Sequence, residues 1–163
     1  MSTEEDETVP ARLRELPSRL LSQAATHAQR LVITGLSGAD AHKWHYAALV
    51  ALEESGPVSQ AELSARTGIH RSDLVAVINE LAGRGLVERT PDPADRRRNV
   101  ITLTPRGRHH SRRLEQLLDA AQEELLSPLS PNEREQLVRL LGRLVTHHAG
   151  GPDAGPGGMP DGG

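Results

Sequence analysis

From residue 11 to residue 34, Leu13, Leu16, Leu20, Ala24, Ala28 and Leu31 recur at steps of three or four, which predicts an amphipathic helix. Pro17 falls early enough to occupy a first turn or to split off a short leading turn, and the Gly35–Gly38 stretch predicts the end. Asp40 is the expected cap of a second helix over 41–55, closed at Ser55-Gly56-Pro57. Ser59 and Glu62 have capping-box spacing and open a short third helix that ends at Thr67-Gly68. A fourth helix is predicted over about 71–83, with Leu74, Val77, Ile78 and Leu81 inward. Two β-type runs follow, Leu86–Arg89 and Val100–Leu103, around a polar, turn-forming stretch from Pro91 to Asn99. Thr104-Pro105 then opens a long helix striped by Leu114, Leu117, Leu118, Ala121 and Leu125. Ser130-Pro131-Asn132-Glu133 opens a last one carrying Leu137, Leu140, Leu141, Leu144 and Val145. The predicted order is α-α-α-α-β-β-α-α, a mainly α chain with one small β-hairpin.

Composition narrows the classes. In 163 residues there is no cysteine, which removes disulfides, thiolate metal sites and Cys nucleophiles. No run approaches the ~20 apolar residues that span a bilayer. The acidic N-terminus has no apolar h-region, so a signal peptide is not expected and a cytoplasmic location is. Residues 1–10 read as a disordered acidic tail and 150–163 as a disordered Gly/Pro tail. The net charge of −3 hides an asymmetry: residues 84–113 hold nine arginines against three acids, a local +6. So concentrated a basic segment points to a polyanionic partner.

A capped short helix, a glycine turn and a second amphipathic helix over 59–83 form a helix-turn-helix candidate. The arginine-tipped hairpin that follows would reach along a DNA backbone, and a narrow minor groove attracts arginine. Three clusters carry a resemblance: Gly85-Leu86-Val87-Glu88-Arg89, Asp92-Pro93-Ala94-Asp95-Arg96-Arg97, and Val100, Leu103-Thr104-Pro105 with Gly107. Without a gap over 23 residues they resemble the wing signature of the MarR (multiple antibiotic resistance regulator) family. The resemblance implies a winged helix-turn-helix over 41–104 within a unit of 11–149, with dimerisation helices from both termini at 11–34 and 107–147. It also implies a homodimer on a pseudo-palindromic operator in double-stranded DNA, often released by a small ligand. Unpartnered leucine stripes at both ends independently favour pairing with a second copy.

The candidate DNA contacts are Ser59, Gln60, His70, Arg71, Ser72 and Asn79 in the helix-turn-helix, with Arg96, Arg97 and Arg98 on the wing. Arg97 is assigned to the minor groove, Arg96 or Arg98 to phosphate, and one wing arginine to pairing with Asp92 or Asp95. This chain departs from the family at Val75, where Thr or Ser is frequent, and at Ala76 and Glu80, where arginine is. Asp73 and Glu80 would repel phosphate if turned toward it. Trp44 and Tyr46, the only aromatics, lie with His42 and His45 on the second helix. Trp44 is core packing, or with these three the lining of a pocket for a small aromatic or phenolic effector, or both. No metal, cofactor or catalytic residue is assigned: His109 is followed four positions on by Arg113, and no phosphate loop or nucleophile–base signature is present. The expected function is a DNA-binding repressor of adjacent genes, not an enzyme. A helical dimerisation or adaptor protein with a degenerate DNA-binding site is the alternative.

Overall fold

The computed structural model describes residues 8–150; the tail expectations at 1–7 and 151–163 lie outside the described residues. Among these, α1 (Ala11–Arg14), α2 (Pro17–Ser37), α3 (Lys43–Ser55), α4 (Gln60–Thr67) and α5 (Arg71–Gly83) precede β1 (Val87–Pro91) and β2 (Asn99–Leu103). The helices α6 (Pro105–Leu125) and α7 (Pro131–Ala149) complete the order. The chain divides into two compact units, one ending at Leu125 and one beginning at Leu126. No helix among the described residues is long and apolar enough to cross a membrane.

Pro17 does both things its position allowed, standing at the start of α2 while the single turn of α1 stays separate. One boundary falls inside the Gly35–Gly38 stretch as expected, and one differs from the sequence expectation. Helix α2 runs through Gly35 to Ser37, and the absent Cβ of Gly35 lets α6 approach, with the Leu117 carbonyl only 3.4 Å from where that carbon would stand. Asp40 does not cap α3. It sits at φ 51 and closes α2 instead: its N–H donates to the Ser37 carbonyl, and the Ala41 N–H donates to that of Leu36. This double closure needs a left-handed residue, which Asp tolerates better than most. The cap of α3 is therefore His42.

The core of the first unit gathers Leu36, Leu49, Leu52, Leu63, Leu74, Ile78 and Leu81 from the helices with Val87, Ile101 and Leu103 from the hairpin. The four inward positions expected for α5 are all buried. Between α4 and α5, Gly68 takes φ +71 at the turn, a conformation costly for any residue with a Cβ. The hairpin pairs Val87 with Leu103 through Pro91 with Asn99, and Val58 adds a bridge to Ile101 on the far side of β2. At its root, the Thr104 hydroxyl is shared between the Gly85 and Leu86 carbonyls, at 2.7 and 3.0 Å, and accepts the Gly107 N–H at 3.0 Å. A Cβ on Gly107 would stand 2.0 Å from the Leu86 oxygen. The Leu-Thr-Pro-x-Gly run is thus a joint between hairpin and α6 that only glycine fits.

In the second unit, α7 opens with the expected capping box: Ser130 Oγ accepts from the Glu133 N–H, and Glu133 accepts from the Ser130 N–H. These bonds hold the Glu133 carboxyl below its ordinary range. None of the α7 side chains is buried.

Candidate nucleic-acid interface and effector groove

Ser59 and His70 start the two helices of the helix-turn-helix. Ser59 Oγ accepts from the Glu62 N–H at 3.2 Å, and His70 Nδ1 accepts from the Ser72 N–H at 3.4 Å. The His70 ring also bonds the Ser72 hydroxyl at 2.9 Å. Gln60 is half-buried beside Ser59. Arg71, Ser72, Val75, Ala76 and Asn79 face outward from α5, as the apolar stripe required. Asn79 is not free, because its Oδ1 accepts from Arg89 of β1. That bond ties the hairpin to the outward face of α5. Arg89 was missed as a site residue; its side of the strand was legible, but its partner is ten positions away on another element.

Glu80 is exposed like the others, but its carboxylate is already engaged. Its carboxylate takes the Nε2 proton of His45 at 2.6 Å, across from α5 to α3. At the end of the helix, Arg84 donates to the Asp40 and Ala39 carbonyls at 2.9 and 3.3 Å.

At the wing tip the two aspartates shape the turn. Asp92 accepts from the Ala94 N–H at 2.9 Å and Asp95 from the Arg97 N–H at 3.1 Å, each an Asx-type turn. Arg98 pairs loosely with Asp95, 4.0 Å apart, so the shape-holding arginine is this one. Arg96, Arg97 and Arg98 are all exposed, and the side chains of Arg96 and Arg97 bond nothing else in the described residues.

The aromatic cluster divides. Trp44 is 38% exposed and is not a core residue. It lines a groove of about 610 Å³ with Val32, Ile33 and Ala28 of α2 and with His42 and Lys43. His45 and Tyr46 do not line it. His45 is 3% exposed beneath His42. Tyr46 packs against the core, where burial and then Glu115 and Asp119 of α6 raise its phenol above the ordinary range.

His42, His45 and Glu80 bring one ligand atom each within 4.8 Å of one another. Their hydrogen bonds are of the wrong polarity for a metal. His45 Nδ1 accepts the His42 N–H at 3.0 Å, and His42 Nδ1 accepts the Trp44 N–H at 3.3 Å, so both rings carry their proton on Nε2. A metal-bound imidazole needs the reverse, its free nitrogen donating to a carbonyl or carboxylate. The cluster is wired as a hydrogen-bond chain.

A family model described as the MarR family matches residues 34–98. An uncharacterized HTH-type transcriptional regulator of Bacillus subtilis, YcgE, is 30% identical over 145 residues, 88% of either chain. A Thauera aromatica protein named for regulation of the hcr operon is 34% identical over 99 residues, which span 60% of its length and 61% of this chain. Among solved structures, the transcriptional repressor CouR bound to a 23-mer DNA duplex superposes with TM-score 0.74 at 26% identity, covering 83% of this chain and 96% of that one. Bordetella bronchiseptica BpsR, titled for regulation of its DNA binding by 6-hydroxynicotinic acid, gives TM-score 0.72 at 26% identity over 84% and 98%.

Proposed function

The chain belongs to the MarR family of winged helix-turn-helix transcriptional regulators, and from that premise we propose that it is a homodimeric repressor of adjacent genes, binding a pseudo-palindromic operator and released by a small aromatic or phenolic acid. The observation that carries the DNA-binding part is the Arg89–Asn79 bond. It joins the hairpin to the outward face of α5, so that wing and helix present one surface. On it, Arg71 and the wing arginines supply the charge, with Ser59 and Gln60 at the preceding helix start. Val75 and Ala76 suit thymine methyl groups, which apolar side chains contact in the major groove.

A second copy is the partner that the apolar faces call for. Leu140, Leu144, Val138 and Val145 on α7 are 47–69% exposed, and Leu13 on α1, Leu16 at the cap of α2, and Leu20 and Leu21 on α2 are 38–50% exposed. Pairing through 11–34 and 107–147 would cover such stripes. Leu140→Asp is expected to leave a monomer in sedimentation at micromolar concentration, because a carboxylate there resists burial.

The effector part rests on the groove at Trp44, an apolar slot with an imidazole and an ammonium at its edge, chemistry suited to a flat ring bearing a carboxylate. The relative regulated by 6-hydroxynicotinic acid points to the same ligand class.

Binding to duplex DNA from upstream of the coding region, followed by fluorescence anisotropy across a salt series, tests the reading. Affinity should fall by a log–log slope of about −0.9 per phosphate contacted. Salt-independent or undetectable binding favours the adaptor alternative, to which the internal bonding of His70, Ser72 and Asn79 lends its support.

A further inference from the structure

The segment from Asp40 to His45 touches two things at once. On one side His42, Lys43 and Trp44 form the edge of the groove. On the other, the carbonyls of Ala39 and Asp40 hold Arg84, and His45 holds Glu80. Both held residues belong to the last turn of α5 or its cap. His42 and His45 are stacked with ring centroids 3.8 Å apart, and Trp44 stands edge-on to His42 at 5.8 Å. An unbroken line of contacts therefore runs from the groove through two imidazoles to the outward-reading helix.

We propose that His45 is a positioning residue for α5, and that the Asp40–His45 turn is a clamp through which an occupant of the groove alters the seating of the recognition helix. The inference rests on the reading that α5 meets DNA.

What gives the clamp two states is the cap of α3. In the closed state His42 Nδ1 receives the Trp44 N–H, His45 Nδ1 receives the His42 N–H, and His45 Nε2 donates to Glu80. The two bonds received at Nδ1 require those nitrogens to be unprotonated, and the third requires only a proton on His45 Nε2. A proton added to either Nδ1 places N–H against N–H and opens the cap, and the N-terminal end of a helix is already the unfavourable end for a cation. An anionic ligand in the groove that draws a proton to His42 would do the same. The other charged or titratable neighbours are Lys43 on α3, Asp40 in the preceding turn, Arg84 beside Glu80 on α5, and His110 on α6. Burial and His45 already hold His42 below its usual imidazole range, against the opposite pull of Glu80.

Reciprocity supplies a test that needs no effector. If groove and helix are coupled, DNA on α5 must favour the closed clamp and make His42 harder to protonate. Trp44 is the only tryptophan, and protonated imidazole quenches a neighbouring indole, so its emission between about pH 5 and 8 reports His42. The full chain is titrated with and without a labelled duplex selected from a random pool, whose binding is followed by anisotropy on the same samples. The expected result is a DNA-induced fall in the emission midpoint, one pH unit for each tenfold of coupling. The negative potential of nearby phosphates acting alone would raise the midpoint, so the sign separates the two causes. Glu80→Gln, whose carbonyl oxygen still accepts the His45 proton, should keep the downward shift, and Glu80→Ala should lose it while still binding DNA. A midpoint that rises or stays put in the parent overturns the clamp, as does a Glu80→Ala variant that shifts like the parent. Should the parent bind no duplex at all, the DNA-facing reading of α5 falls first and takes the clamp with it.

Discussion

The wing tip and α5, the two parts proposed to meet DNA, treat their side chains in opposite ways. At the tip, backbone bonds to Asp92 and Asp95 do the shaping, which leaves Arg96 and Arg97 unengaged and exposed. On α5, the polar side chains shape the helix themselves: His70 caps and grips Ser72, Asn79 receives Arg89, and Glu80 receives His45. Arg71 is the exposed cation left on its outward face. Charge attraction is therefore concentrated in the wing, and any sequence discrimination by α5 must work through groups already committed to neighbours. That commitment fixes their rotamers before DNA arrives, which lowers the entropic cost of an ordered contact.

The largest effect should come from the root of the wing. Gly107→Ala forces a methyl group into the Leu86 carbonyl and is expected to destabilise the fold by about 3 kcal/mol, read as a lower urea midpoint. Next, Arg97→Ala should weaken duplex binding by about 1–3 kcal/mol with the melting temperature unchanged. Arg98→Ala should cost less than Arg97→Ala, because Arg98 already leans on Asp95. Equal losses at the two positions would dissolve the distinction between shaping and binding arginines. Asn79→Ala and Arg89→Ala sharpen the helix side: in a double-mutant cycle on duplex affinity they should couple by roughly 0.5–1.5 kcal/mol. Independent effects would mean that Asn79 works without its tether.

The smallest effect is that of pH. Burial, then neighbouring charges, lower the folded-state affinity of His42 and His110 for a proton. The unfolded chain then binds more protons below its ordinary value of 6.5, so stability is full above that pH and is lost as pH falls toward the depressed folded values. A melting temperature that declines on acidification through this window, and declines less in His42→Gln, is the expected outcome. The wing contains no histidine and should not contribute.

Much of this was legible in the chain itself, for reasons of distance. The capping signals at Ser59 and Ser130, the Gly68 turn and the inward stripe of α5 are written within three to five neighbouring residues, and local hydrogen bonds honour them. Aspartate at position 40 misled because it suits both a helix start and a left-handed helix stop. Which role it takes depends on Ala41 and Leu36 meeting behind it. The placement of Glu80 was out of reach for a stronger reason. His45 lies 35 positions away, and no periodicity reports which acid a buried ring will find. Tyr46 likewise shares a helix with Trp44 but faces α6, a matter of how that helix is rotated among its neighbours.

The joint at Gly107 turns the hairpin into a lever. Five residues of strand at about 3.3 Å each give an arm of roughly 17 Å from root to tip. Were the hairpin to follow α6 through this close contact, a tilt of the helix would be felt at the tip. A rotation of about 10° would sweep Arg96 and Arg97 through about 3 Å, close to the rise of one base step.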